Sequence, residues 1–474
     1  MRSRAVLALL VAVASSAAAA ELPRGQVVDK VACVKDPGKT YALYLPSGYR
    51  PDRKWPVVYA FDSRGNGKEI AELLRTGAER YGWIVVSSYN SSHQIPMEEN
   101  FKTMSALWAD THARLSIDDR RVYAMGFSGL VRFVCMLGLT APESLAGVIG
   151  ANGGFPLGHP PTRQTPFPFF FTVGNKDFSY YELLDLDQTL SSLGLPHRLE
   201  VFEGSHEWPP EELFTQGIAW MELQAMKRGL REKSAAVVDP LWSQDLARAR
   251  SLDGEGRLYE AFRAYSSLAA DFKGLRKPEE MAEVERKLAE MKASKALQQE
   301  IKEREARDRR DREYLEKVPR IFDAAPAEIR PDSVSQILSD LKIPELKKRA
   351  QSDPDPDERL SAERLLYAVY IQTGLYLPRE YSRRQQYDRA IFLLQVAAEI
   401  DPDVPHIPFR LATAYANKGN RKKALDYLAL SVDKGWTDLV ALEGERAFDP
   451  LRQSEEYKTI VAQLLRKQKE AGQR

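Results

Sequence analysis

Between about residues 25 and 230, short runs dense in Val, Ile, Phe and Tyr alternate with longer stretches of helical periodicity. This alternation limits the fold more than any other feature of the chain. The runs are Tyr41–Leu45, Pro56–Phe61, Trp83–Ser88, Val122–Phe127, Leu145–Ala151, Phe167–Val173 and Arg198–Phe202. Several are nearly unbroken in apolar residues, as strands become when helices cover both faces of a sheet. Helical stretches such as Glu69–Tyr81, Asn100–Leu115 and Tyr180–Leu193 lie between them. Strand and helix in repeated succession call for a mostly parallel sheet with crossover helices. The expected class over residues 25–232 is an α/β sandwich.

After about residue 232 the strand-like runs almost vanish, and the rest of the chain reads as all-α. A helical hairpin and a long charged helix are expected over 236–345, with a hairpin turn at Asp253-Gly254-Glu255-Gly256. The charged helix is expected from Lys277 to about Lys317. Its Met281, Val284, Leu288 and Met291 form a narrow apolar stripe on a solvated helix, too short for a firm coiled-coil seam. Ser352-Asp353-Pro354-Asp355-Pro356-Asp357 marks a linker or the start of a helix. A last helical domain is expected over 357–470. There Tyr387-Asp388-Arg389-Ala390-Ile391 reappears as Arg421-Lys422-Lys423-Ala424-Leu425, and the two alanines stand 34 residues apart. That is the period of a helix–turn–helix repeat. Leu411, Ala412 and Tyr415 suit the packing positions of its first helix, whereas Gly374 and Pro378 suggest an insertion before Tyr381.

The first twenty residues have a different character. Arg2 and Arg4 precede an apolar core, Ala5–Ala14, and small residues follow, with Ala18 and Ala20 placed for a peptidase cut before Glu21. Residues 1–20 are expected to be a signal peptide, which implies export to the periplasm or outside. The core is short of the ~20 residues that span a bilayer, and no integral membrane segment is expected after cleavage. A net charge of +1 offers no global attraction to nucleic acid. Cys33 and Cys135 lack a metal-ligand spacing, and either two buried thiols or a disulfide is compatible with them.

The chemistry concentrates at three strand ends. Gly126-Phe127-Ser128-Gly129 runs from a strand into a helix, where a strained turn lifts a serine out of the sheet. The position after Gly129 is usually small; here it is Leu130, which must turn away from the strand or push the helix outward. Strand Phe167–Val173 ends in Gly174-Asn175-Lys176-Asp177, and strand Arg198–Phe202 ends in Glu203-Gly204-Ser205-His206. The order Ser, Asp, His, each after its own strand, is the order of a Ser128–Asp177–His206 triad in such a sheet. Only six histidines occur in the chain, so one at this place carries weight. The acyl oxyanion would be met by the amide of Gly129 and by a second amide in Asp62-Ser63-Arg64-Gly65, that of Ser63 or Arg64. Phe127, Tyr180, Tyr181 and Trp208, with Tyr89, flank these positions and are candidate substrate-binding aromatics, although such rings are more often plain core. No metal cluster, dinucleotide fingerprint or phosphate loop appears, so no cofactor is expected.

Residues 25–230 resemble the α/β-hydrolase superfamily, nearest to its polyhydroxybutyrate-depolymerase and feruloyl-esterase-like branch. The likeness is carried by Tyr44-Leu45-Pro46-Ser47-Gly48-Tyr49, Trp55-Pro56-Val57-Val58-Tyr59, Gly126-Phe127-Ser128-Gly129 and Gly204-Ser205-His206-Glu207-Trp208-Pro209. It implies serine-hydrolase chemistry on a small ester or polymer-ester substrate. Residues 385–435 resemble tetratricopeptide repeats, which implies a protein partner. The expected function is therefore an exported carboxylic-ester hydrolase with a protein-binding helical half. An inactive hydrolase-fold scaffold and a serine peptidase remain the alternatives.

Overall fold

The strands form wherever the chain is continuously apolar, and the computed structural model, which describes residues 22–323 and 333–471, places all seven expected ones. The signal segment expected at 1–20 lies outside the described residues. By internal contacts the chain divides into two compact units, residues 1–122 and residues 123–474.

In the first unit, β1 (Val27–Ala32) pairs antiparallel with β2 (Thr40–Tyr44). β2 in turn pairs antiparallel with β4 (Ile84–Ser88), and β4 runs parallel to β3 (Trp55–Phe61). Every residue of β3 is buried. α1 (Gly67–Tyr81) buries Ile70, Ala71, Leu74 and Ala78, one stripe at helical spacing, and ends at Gly82, whose φ of 72° suits a residue without Cβ. α2 (Met97–Arg114) follows. β1 was not anticipated: its Asp29 and Lys30 are exposed, so it has none of the continuous apolarity of the inner strands.

β5 (Ile117–Phe127) crosses the unit boundary. In the second unit β5, β6 (Gly147–Ala151), β7 (Phe169–Gly174) and β8 (His197–Phe202) are parallel neighbours. The helices α3 (Gly129–Thr140), α4 (Tyr180–Leu193) and α5 (Glu211–Lys227) alternate with them. Among the described residues the strand order is β1-β2-β4-β3 in the first unit and β5-β6-β7-β8 in the second. This is a mostly parallel sheet with crossover helices, as the apolar runs require.

The remainder of the second unit is helical. α6 (Ala235–Gly254) and α7 (Leu258–Asp271) form the expected hairpin. The long charged helix is two helices, α8 (Pro278–Ala293) and α9 (Lys295–Asp323). Ser294 divides them because its extended backbone ends α8 on the carbonyl of Met291, while its own carbonyl accepts from Gln298 in α9. The stripe of Met281, Val284, Leu288 and Met291 is not solvated; it packs with Trp242, Tyr265 and Phe272 in an intramolecular core. α10 (Ser333–Asp340), α11 (Ile343–Ser352) and α12 (Pro356–Ile371) come next. The acidic Pro-rich patch is the start of α12, where the Asp355 side chain accepts the Asp357 N–H. At Gly374 the α-helix gives way to a π-helical turn, Gln372–Tyr376, which carries the chain into α13 (Leu377–Arg383). α14 (Tyr387–Ile400), α15 (His406–Asn417), α16 (Arg421–Asp433), α17 (Leu439–Gly444) and α18 (Glu455–Ala471) complete a second helical core. Cys33 and Cys135 are free and buried. No helix among the described residues is long and apolar enough to cross a membrane.

Candidate active site

The turn from β5 into α3 holds Ser128 at φ 55°, ψ −125°. A residue with a Cβ held there costs on the order of 1–3 kcal/mol, and the surrounding backbone enforces it. The Ser128 N–H is tied to the Ala151 carbonyl at 2.8 Å, and its carbonyl accepts from Val131 at 3.0 Å. A Cβ on Gly126 would lie 2.4 Å from the Leu130 carbonyl oxygen, and one on Gly153 would lie 2.4 Å from the Ser128 carbonyl oxygen. Only glycine fits at either place. Leu130 itself is 1% exposed and absorbed into the interior, so the turn forms with a leucine beside it.

The three residues expected to act together meet. His206 Nε2 is 2.8 Å from Ser128 Oγ, and His206 Nδ1 is 2.7 Å from Asp177 Oδ2. Asp177 is fully buried, and its other oxygen accepts the Ser179 N–H at 2.7 Å and the Ser179 hydroxyl at 2.8 Å. This leaves Oδ2 to the imidazole. Gly129 is the first residue of α3, where backbone amides have no acceptor within the helix and the helix dipole favours negative charge.

The expected aromatics divide into two groups. Phe127 packs against His206 (ring centroids 5.1 Å apart) and Trp208 (4.5 Å), so these two line the triad. Tyr180 and Tyr181 are engaged by the helical region. Arg364 stacks on Tyr180 at 3.8 Å, and the buried Tyr181 hydroxyl donates to Asp311 at 2.6 Å. The ring that fills the space beside His206 is Phe178, at 4.5 Å, with Tyr376 edge-on to it at 5.9 Å. In the first unit, the Arg64 N–H donates to Asp62 Oδ2 at 3.1 Å. Tyr89 bonds Asp29 through its hydroxyl.

Sequence reasoning missed Asn152, Ser179 and Phe178. Asn152 carries a signal in principle, because Asn followed by Gly153-Gly154 directly after an apolar run is turn chemistry, and its φ is 52°. Phe178 had none beyond its place next to Asp177. No group of His, Cys, Asp or Glu among the described residues could hold a metal.

No family model and no curated protein matches the chain. Among solved structures it is similar to an S-formylglutathione hydrolase from Staphylococcus aureus, at 14% identity and a TM-score of 0.35, over 42% of this chain and 98% of that one. A ferulic acid esterase is similar at 17% identity and a TM-score of 0.31, over 41% of this chain and 95% of that one. An esterase from Pyrobaculum calidifontis is similar at 14% identity and a TM-score of 0.35, over 43% and 87%. By its own strand order and the strained turn at Ser128, the sheet region has the α/β-hydrolase fold.

Proposed function

We propose that this chain is a serine hydrolase that cleaves carboxylic esters through an acyl-enzyme on Ser128. The observation that carries the reading is the hydrogen-bond chain from Ser128 Oγ through His206 to Asp177. In this mechanism His206 Nε2 takes the Ser128 proton as Oγ attacks the ester carbonyl. The Gly129 amide meets the charge that develops on the carbonyl oxygen. Collapse of the tetrahedral intermediate expels the alcohol, protonated by His206, and leaves the acyl group on Oγ. Water, deprotonated by the same imidazole, then releases the acid. Asp177 holds the tautomer in which Nδ1 carries hydrogen and stabilises the imidazolium without taking its proton. Phe127, Phe178 and Trp208 supply an apolar wall suited to an ester with an apolar or aromatic portion. The 34-residue spacing of Ala390 and Ala424, both fully buried, supports a protein-binding role for the tetratricopeptide-like segment beside the catalysis.

The test is labelling by a fluorophosphonate probe, with wild type compared to Ser128→Ala. Label that depends on Ser128 supports the reading, and equal or absent label in both ends it. A panel of p-nitrophenyl and feruloyl esters beside peptide substrates separates an esterase from a serine peptidase using the same three residues.

A further inference from the structure

On α12, Tyr367 stands four residues after Glu363 and three after Arg364, so the three share a face. All three reach the loop between β7 and α4 that bears Asp177. Glu363 pairs with Lys176 at 2.6 Å. Arg364 donates from Nε to the Asn175 carbonyl at 2.8 Å. The Tyr367 ring packs near Phe178, centroids 6.4 Å apart, and Phe178 packs on His206. The residues on both sides of Asp177 are thus held from one helix of the helical region.

The hold is stiff because it is buried and has two arms. Arg364 is 5% exposed, and its Nη1 donates to the Tyr181 hydroxyl at 2.6 Å. The Tyr181 hydroxyl in turn donates a hydrogen bond to Asp311, and Ser361 of α12 donates to the same carboxylate at 2.6 Å. Moving the guanidinium would strand buried acceptors on both sides. Burial pushes the Tyr367 hydroxyl up to about 12, and the His206 amide and Ser205 hydroxyl face the same oxygen. So α12 also touches the histidine loop.

We propose that Arg364 and Tyr367 are positioning residues of the triad, which makes the helical region a working part of the catalytic site. The proposal rests on the ester-hydrolase reading above. If the Asp177 loop drifts, the imidazolium formed on proton transfer loses its partner, whereas ester binding is untouched. The consequence is a lower kcat at constant KM and an acidic limb of the kcat/KM profile displaced to lower pH.

The experiment uses the full chain and compares wild type, Ser128→Ala, Arg364→Gln, Arg364→Lys, Tyr367→Phe and, as a control, Arg248→Ala. Arg248 of α6 pairs with Glu200 on β8 at 3.2 Å, so its loss weakens the junction of the helical region with the sheet away from the triad. For each, thermal melting, kcat and KM on a p-nitrophenyl ester, the pH profile and the rate of fluorophosphonate labelling are measured. Arg364→Gln is expected to lose roughly 30–100-fold in kcat, with KM within about 3-fold and the acidic limb displaced. Arg364→Lys, which reaches only one of the two acceptors, is expected to fall between it and wild type. Tyr367→Phe removes one oxygen and keeps the ring, so it folds even where Arg364→Gln does not; its expected loss is about 5-fold with the same displacement. Arg248→Ala keeps kcat and the limb. Folded Arg364→Lys and Tyr367→Phe proteins with wild-type kcat and pH profile would overturn the proposal alone. Absence of Ser128-dependent label in wild type would remove the hydrolase reading and this one with it.

Discussion

Asn152, directly after β6, accepts the backbone N–H of Gly174 through Oδ1 at 3.1 Å. Its Nδ2 donates to the carbonyl of Glu207. One buried side chain therefore joins the loop of Asp177 to the loop of His206, from a backbone held at φ 52°. Asn152→Ala leaves an amide and a carbonyl unpaired and puts an alanine in a conformation it resists. It is expected to cost about 3 kcal/mol in urea unfolding and roughly 10–100-fold in kcat. Asn152→Gly accepts the backbone and still lacks both hydrogen bonds. Its stability should recover in part while kcat stays low, and equal recovery of both would assign Asn152 to the turn alone.

Asp177→Asn changes the chemistry with little change of shape. The Ser179 N–H and hydroxyl both donate to Oδ1, so the amide oxygen of an asparagine takes that place and its NH2 faces His206. His206 Nδ1 must then accept, Nε2 carries the hydrogen, and the imidazole cannot take the Ser128 proton. The expected loss is roughly 10⁴-fold in kcat with melting close to wild type. A loss under 10-fold would show that Asp177 does not set the tautomer.

The close approach of α3 to β5 rests on Gly126 rather than on the residue after Gly129. At Gly126 a Cβ would lie 2.4 Å from the Leu130 oxygen and 2.7 Å from the Val131 nitrogen, both backbone atoms that cannot rotate aside. Gly126→Ala is therefore expected to displace Ser128 and lower kcat by about 100-fold or more. Leu130→Ala instead opens a cavity in the core, at about 2–4 kcal/mol, and should leave kcat within about 3-fold. A large gain in kcat on Leu130→Ala would mean that the leucine does distort the turn.

Seven of the eight strands were legible because burial on both faces writes itself as unbroken apolar runs, as at Phe169, Phe170 and Phe171. The triad was legible because each member follows such a run directly. β1 was not, since a strand with exposed Asp29 and Lys30 has the composition of a loop. The division at Ser294 turns on one backbone angle inside a uniformly charged stretch, which periodicity does not register. The contacts of Arg364 and Tyr367 with the triad loops were the least legible of all. Nothing local to α12 says which loop its polar face meets, and a buried arginine is read as surface until its partners are known.

Acid should loosen the helical core through His406. Burial, reinforced by the nearby Arg410 guanidinium, holds this imidazole at a pKa of about 4, below its ordinary 6.5. Its Nε2 is 2.6 Å from the Tyr370 hydroxyl, which the neutral ring accepts. The folded chain keeps His406 neutral between these two values while the unfolded chain protonates it. The contribution to stability is therefore whole above pH 6.5, is lost as pH falls from 6.5 to 4, and changes no further below that. Its size is on the order of 2 kcal/mol, allowing for the part of the ring that water reaches. His406→Gln retains an acceptor for Tyr370 and has nothing to titrate. Urea unfolding of both proteins at pH 7.5, 5.5 and 4.5 reads the difference directly, free of the carboxylates common to both. The wild type should lose stability faster than His406→Gln across this range, and parallel curves would place the protonation of His406 outside it. Tyr370 lies on α12, one turn beyond Tyr367, so acid loosening of this contact acts on the helix that holds the Asp177 loop.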